Sequence, residues 1–423
     1  MKPWAFILHI MPKNPSVIFI ITCLVLAVNI VKAGEFSPKL SVSGFGSFAG
    51  TGTDTDVISF YREQTQTKPA TKSWGVTTDS RLGLQLDIAF NEQFHITTQY
   101  IVRDHAGDFF EQNLEWAFLR WSPRSDIDIR VGRLGIDSYL LADYRDVGYA
   151  YPWMRPPHEF YAHIPGSHFD GFDISQHYNL GNSHLTLKLF AGYVHSSVPQ
   201  SDTAINGATT GTSLTAVSGN WRAKISYAYI HVLSELIDAN VVNTIKSPLL
   251  NIFFPDVDAI APQLTTVNNQ ANYLAIGGSY DDGVWQLQAE AAYAATNSLF
   301  IASQATAYLS IARRFSEVTL FGLYGVAYSF QDKLEIPPPV TPSPELQKVH
   351  DIIEAYGNQN TTAEQSLSIG LRWDFYTNFA FKMQWSHYWL GSDLSPALWE
   401  PLRYGQTTPN NVNVWSVGVD FIF

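Results

Sequence analysis

Charged residues recur at every second position along many segments of this 423-residue chain, and that spacing sets the chemistry open to them. Between 81 and 90, Arg81 and Asp87 share one parity while Leu82, Leu84, Leu86, Ile88 and Phe90 hold the other. The same parity gathers Arg81, Arg103, Arg130, Lys188, Arg222, Lys224, Arg372 and Lys382 on one side of their segments. Asp87, Asp128, Asp173, Glu290, Asp374 and Asp420 join them there, whereas Arg120 falls on the opposite parity with Trp116 and Phe118. Charges held along a common wall act on ions through their field. A second group sits in one long segment, 134–170, where Asp137, Asp143, Asp146, Glu159 and Asp170 face Arg145 and Arg155, a net charge of −3.

Covalent and metal chemistry finds little support. No glycine-rich phosphate loop, no G-x-S-x-G elbow and no paired metal motif occurs. The one cysteine, Cys23, lies in the N-terminal apolar run. His158, His163 and His168 stand at spacing five, which neither a helix nor a strand would align on one metal, so ordinary loop hydrogen bonds are expected of them. An enzyme of the lipase kind would need a serine and histidine together at the rim. Ser386 and His387 point to opposite faces, and His387 between Trp385 and Trp389 reads as part of an aromatic girdle. No catalytic residue, metal or cofactor is expected.

Strands must position these charges. Leu185, Leu187, Leu189, Ala191 and Tyr193 alternate with His184, Thr186, Lys188, Phe190 and Gly192, and Phe379, Phe381, Met383 and Trp385 alternate with Ala380, Lys382, Gln384 and Ser386. Period two with one apolar face is the signature of a strand. Sixteen such segments follow Gly34, near 40–49, 76–90, 93–103, 113–121, 126–133, 171–178, 184–194, 211–218, 221–231, 272–280, 284–295, 304–313, 317–330, 365–375, 379–389 and 412–423. Their connections alternate strictly between short turns and long loops, with the longest at 50–75, 134–170, 232–271 and 331–364. Charged residues make up 15% of the chain and aromatic residues 14%, and mean hydropathy is −0.05. Few charges, many rings and balanced hydropathy point to an all-β fold, a transmembrane antiparallel β-barrel with lipid outside and water inside. Arg or Lys facing lipid near the midplane would cost about 2–4 kcal/mol, which turns the charged parity inward. The pattern predicts long outer loops, short periplasmic turns and both termini on the periplasmic side.

Residues 1–33 read as a cleaved signal peptide: Lys2 and Lys13, an apolar run from Val17 to Val28, then Val31-Lys32-Ala33. The barrel domain is then 34–423. Losing three lysines and no acid leaves 23 basic against 38 acidic residues, a charge of −15 that excludes nucleic acid as a partner. With a mixed wall, the remaining acid must sit in loops and turns, which implies a slight cation preference. Within 343–357, Ser343-Pro344-Glu345 opens a short helix with Leu346, Val349, Ile353 and Tyr356 along one face.

Segment 134–170 holds Tyr139, Tyr144, Tyr149, Tyr151, Trp153, Phe160, Tyr161, Phe169 and four prolines, a composition suited to order rather than disorder. Its stretch Asp146-Val-Gly-Tyr-Ala-Tyr-Pro-Trp-Met-Arg-Pro-Pro157, after Val131-Gly132-Arg133, resembles a group of porins of marine-type proteobacteria. The chain as a whole is similar in architecture to the trimeric Gram-negative porins. Their third outer loop folds into the lumen, with its acids opposed to a basic wall. The resemblance therefore implies a constriction at 134–170 and a homotrimer. It sets Asp137, Asp143, Arg145, Asp146, Tyr151, Trp153, Arg155 and Glu159 against Arg81, Arg103, Arg130, Lys188, Arg222, Arg372 and Lys382. Asp143, Asp146 and Glu159 are expected within several ångströms of Arg81, Arg103 and Arg130. It also implies passive diffusion of small polar solutes and ions, in a lipid bilayer with lipopolysaccharide. A substrate-specific uptake channel for sugars or for aromatic or organic acids is the alternative, on the strength of the loop's rings. Trp415, Val417, Val419, Phe421 and Phe423 alternate to a terminal phenylalanine, which resembles the signal read by the outer-membrane assembly machinery. Gly44 and Gly46 leave a flat patch on the first strand where a neighbouring barrel could pack.

Overall fold

The computed structural model describes residues 38–164, 166–197, 199, 204–235, 252–254, 265–298, 301–330, 334–358, 361–391, 398–402 and 409–423. The expected signal segment 1–33 lies outside these residues, as do parts of loops 195–210, 232–271, 331–364 and 390–411.

Eighteen strands are described. The first half of the chain gives β1 (Lys39–Thr53), β2 (Ile58–Phe60), β3 (Arg81–Ala89), β4 (Phe94–Arg103), β5 (Leu114–Arg124), β6 (Ile127–Gly135), β7 (His168–Leu180), β8 (Ser183–Ser196) and β9 (Ile205–Ser218). The second half gives β10 (Trp221–Val232), β11 (Gln270–Asp281), β12 (Trp285–Thr296), β13 (Gln304–Phe315), β14 (Val318–Ser329), β15 (Ala363–Tyr376), β16 (Phe379–Leu390), β17 (Trp399–Pro401) and β18 (Asn411–Ile422). Sixteen of them close into one antiparallel barrel in chain order, and only β2 and β17 stand apart as a two-stranded sheet. The seam joins the first strand to the last, with Phe45 opposite Ile422 and Thr53 opposite Val414. Closure satisfies every edge, which a sheet crossing lipid requires. No helix among the described residues is long and apolar enough to cross a membrane.

The two faces separate as the alternation dictates. Leu82, Leu84, Leu187, Leu189, Leu274, Ile276, Leu309 and Ile311 are exposed on the outside, and their neighbours of opposite parity turn polar groups inward. Rings mark the margins of this apolar band, with Trp221, Trp285, Trp373 and Phe379 towards the short turns and Tyr193, Tyr293, Tyr324 and Trp389 towards the long loops. Connections at one end hold two to four residues. Such turns need left-handed backbone, and Gly219 (φ 56°) and Asn378 (φ 65°) supply it where the spacing placed turns. Both chain ends of the barrel lie at this short-turn end.

Two sequence expectations change here. Phe118 and Arg120 face inward rather than outward. Glu115 is an extra residue opposite the Gln99/Tyr100 step, and this bulge resets the parity of β5. Phe118 then packs inside with Leu134, Phe169 and Phe190, while Leu119 and Trp121 take the lipid side. The flat patch at Gly44 and Gly46 is already filled by this chain. A Cβ at Gly44 would meet the Phe423 ring at 2.3 Å, and one at Gly46 would meet the Phe421 ring at 2.4 Å.

The helix Pro344–Asn358 forms where its cap predicted, with Leu346 N donating to Ser343 Oγ at 3.2 Å. Its Ile353 is buried, and Glu354 Oε1 accepts from Ile336 N at 2.8 Å.

Candidate functional site

Between β6 and β7 the chain leaves the wall at 136 and returns at 167, so Leu134, Gly135 and 168–170 belong to strands. Asp170 accordingly pairs with Arg133 of the adjacent strand (2.8 and 3.0 Å) rather than lining a constriction. The remaining segment is a strap fastened to the inner wall around the barrel. Asp137 is held by Lys188 (3.1 Å) on β8 and by Lys224 on β10, with Ser213 adding a hydrogen bond of 2.6 Å. Leu140 N donates to Glu290 on β12 (2.7 Å), and Trp153 Nε1 to Ser310 Oγ on β13 (2.8 Å). Lys382 on β16 donates to the carbonyls of Gly148, Tyr151 and Trp153 at 2.6, 2.6 and 2.8 Å and pairs with Asp420 at 2.7 Å. Arg372 on β15 donates to the Tyr149 carbonyl at 2.5 Å and lies over its ring. Prolines and carbonyls without internal partners make this segment irregular; the wall cations satisfy it instead.

On the opposite wall Asp146 receives Arg81 at 2.5 Å and Arg103 at 2.8 Å. Arg103 also meets Glu115 (3.1 Å), and Glu63 of the first long loop meets Arg145 (3.3 Å). Beside it Arg155 and Arg62 share Asp79, at 2.5 and 3.0 Å, and Arg155 further donates to Ser416. These groups are buried, and their charges survive because each has a partner. Burial alone would raise the Asp146 carboxyl, yet Arg103, Arg81 and Arg145 hold it well below the usual range. Glu63 is likewise pushed up by burial and pulled down further by Arg103 and Arg145, to about 2. Burial of Asp137 is outweighed in the same way by Lys188 and Lys224.

The expected opposition of three acids to three arginines holds for one acid and two arginines. Asp146 meets Arg81 and Arg103, but in direct contact rather than across water. Arg130 is bound by Asp173 of the neighbouring strand, at 2.5 Å. Asp143 is exposed in the lumen. Glu159 is instead buried against Glu364, at the start of β15, and His158. Burial first, and then the Glu364 carboxylate, push Glu159 up to about 7. Arg222 faces inward, half-buried and close to Tyr144. The strap's rings are used for packing: Tyr139, Tyr151, Trp153, Phe160 and Tyr161 are buried with Tyr308, Phe321 and Leu323 of the wall. Glu63, Asp79, Glu115 and Glu364 belong to the site but escaped the sequence reading. Three lie in or beside irregular chain, and Glu364 sits where the parity of β15 has only begun.

Below the strap, towards the short turns, is a cavity of about 230 Å³ lined by Tyr149, Ala150, Tyr151, Pro152, Gln286, Arg314, Thr319, Arg372 and Asp374. Arg372 and Asp374 pair at 2.7 Å within it. The interior thus combines a polar wall and an irregular strap whose buried charges are mostly paired. Ser386 bonds to Ser368 inside (2.7 Å), while His387 lies against Trp389 outside, at a ring distance of 4.7 Å.

No protein-family model and no curated protein matches the chain. Solved structures do. The anion-selective porin of Comamonas acidovorans superposes with TM-score 0.52 at 12% identity, over 92% of this chain and 100% of that one. OmpF of Salmonella typhi, solved with daunomycin, gives TM-score 0.53 at 11% identity, over 91% and 98%. OmpT of Vibrio cholerae, an outer membrane protein in its trimer form, gives 0.51 at 9%, over 92% and 100%. At such identities the likeness is one of fold, and with its closed sixteen-stranded wall the chain has the fold of the outer-membrane porins.

Proposed function

We propose that this protein is an outer-membrane channel through which small hydrophilic solutes and ions diffuse passively. The observation that carries the reading is the strap 136–167, fastened by wall cations inside a barrel whose outer face is apolar. A wall built only for stability would be filled with apolar side chains. This one spends buried lysines and arginines on positioning an irregular segment in the lumen. Asp143 is the exposed acid of the strap, and with the acidic chain as a whole it supports a slight cation preference.

The same reading includes removal of 1–33, periplasmic termini, outer loops beside lipopolysaccharide, insertion by the assembly machinery through Phe423, and a homotrimer. The trimer form of OmpT supports the last of these; the glycines of β1 do not. A substrate-specific uptake channel loses much of its support, because Tyr139, Trp153, Phe160 and Tyr161 are packed against the wall and, of the strap's rings, Tyr149 and Tyr151 line the cavity below it. The serine and histidine considered for an enzyme, Ser386 and His387, lie on opposite faces of the wall. Single-channel recording of the purified protein in planar bilayers tests the proposal. Stepwise ohmic conductance, with liposome swelling that falls smoothly as sugars grow larger, is expected. A bilayer that stays silent after protein insertion overturns it.

A further inference from the structure

The helical turn His158–Tyr161 inside the strap brings two adjacent ligand-type residues against the start of β15. One ligand atom each of His158, Glu159 and Glu364 lies within 4.8 Å of the others, and all three residues are buried. His158 Nδ1 and His163 Nε2 each stand 3.5 Å from Glu364 Oε1. None of these three atoms has a hydrogen-bond partner, nor does either carboxylate oxygen of Glu159, which is 0% exposed. Orphaned polar atoms of His158, Glu159 and Glu364 thus converge in the barrel, and the orphaned His163 Nε2 reaches the group through Glu364.

Elsewhere in the lumen, buried acids are answered. Asp79, Asp137, Asp146, Asp173 and Asp420 each hold a lysine or arginine, and Glu290 accepts bonds from Tyr161, Tyr308 and Leu140 N. Glu159 and Glu364 are two carboxylates side by side, with imidazoles, the Trp399 indole and the Ser366 hydroxyl around them, and among the described residues neither holds a lysine or arginine. A divalent cation would cancel that charge and take up His158 Nδ1, Glu364 Oε1 and one carboxylate oxygen of Glu159. Tetrahedral zinc, about 2.0–2.1 Å from each ligand, sets ligand atoms about 3.3–3.4 Å apart, close to the 3.5 Å that separates Glu364 Oε1 from each histidine nitrogen, with Glu159 within 4.8 Å of His158 and Glu364. Outer contacts prepare the ligands as well. His158 Nε2 lies 2.9 Å from the Tyr61 carbonyl, which can only accept, so Nε2 carries the proton and Nδ1 offers its lone pair. Trp399 Nε1 donates to the second oxygen of Glu364 at 2.7 Å. Such partners orient metal ligands, and a mixed imidazole–carboxylate set selects zinc-class ions over calcium or magnesium.

We propose that His158, Glu159 and Glu364, with His163 as fourth ligand, bind one zinc-class divalent ion that clamps the strap to the wall. This revises the expectation that spacing five keeps the histidines apart. His163 joins through a wall carboxylate, while His168 stays out, near Glu115. The site is independent of whether the barrel conducts.

The test uses untagged, folded barrel in detergent, stripped with chelator and titrated with cobalt(II) and then zinc. One equivalent should bind with the intense visible spectrum of tetrahedral cobalt, which zinc abolishes. His158→Gln and Glu364→Gln should each weaken binding more than about 100-fold, and Trp399→Phe about 10–100-fold, with the folded gel mobility kept. A Cβ at position 325 would meet Glu159 Oε2 at 2.1 Å. Gly325→Ala therefore displaces a ligand without altering one, and it should weaken binding too. No saturable binding by the wild type, or binding that the ligand variants leave unchanged, overturns the proposal. Should those variants fail to assemble, an identical cobalt titration of Gly325→Ala and wild type overturns it instead.

Discussion

Asp143 and Asp146 are three residues apart and have opposite fates. Asp146 is consumed by Arg81 and Arg103, whereas Asp143 faces water. Selectivity should therefore answer to the second. Asp143→Asn is expected to move the reversal potential towards anions, most clearly at low salt where screening is weak; the same potential at every salt concentration would remove Asp143 from the ion path. Asp146→Asn should act on order instead, because it leaves the buried Arg81 guanidinium without its carboxylate and Arg103 with Glu115 and Glu63 alone. That costs about 3–5 kcal/mol, to be read as faster proteolysis or hydrogen exchange of 136–167 with the barrel intact. Acid should have the same effect. The Asp146 and Glu63 carboxyls are depressed in the folded state, Glu63 to about 2. The stability they contribute is present above their unfolded values near 4 and lost as pH falls through the folded ones. Strap protection should hold from pH 8 to 5 and fail between about 4 and 2; a loss centred near neutral pH would mean that other groups hold the strap.

The strands were readable element by element, because period two with one apolar face leaves few alternatives and the turn residues punctuate it. The failures have physical causes. Strand β9 begins at Ile205 rather than 211, since Gly207, Thr209 and Thr210 show no apolar alternation. In β5 one bulge reverses the parity, so rings that look lipid-facing pack inside. The strap has no period, and its partners lie on strands distant in sequence, so the types of its residues could be recognised but not their pairings. The last strand was clearer in pattern than in contact. Phe423 exchanges backbone hydrogen bonds with Gly44 at 2.9 and 3.0 Å, and its ring covers that glycine while remaining mostly exposed. Its ring burial is worth about 1–2 kcal/mol and each bond about 0.5–1.5, small beside a closed barrel. Deleting Phe423 should reduce the assembled amount in the outer membrane while assembled barrels conduct normally; equal assembly would show that the terminal residue is not a signal.

At the scale of the molecule, the apolar exterior and closed wall make a span, and the proposed function assigns its aperture to the strap. Lysines and arginines from strands on opposite sides hold it by carbonyls and carboxylates, so it stands inside the barrel as a fixed element rather than as a loose loop. Everything proposed about diffusion depends on that element setting the aperture. Deleting 145–160 leaves the wall strands intact and removes as many acids as bases, Asp146 and Glu159 against Arg145 and Arg155. Single-channel conductance of this deletion beside the wild type is the most direct test. A larger conductance, with passage of larger sugars and little change in ion preference, is the expected result; conductance equal to the wild type would place the narrowest section elsewhere and contradict the account.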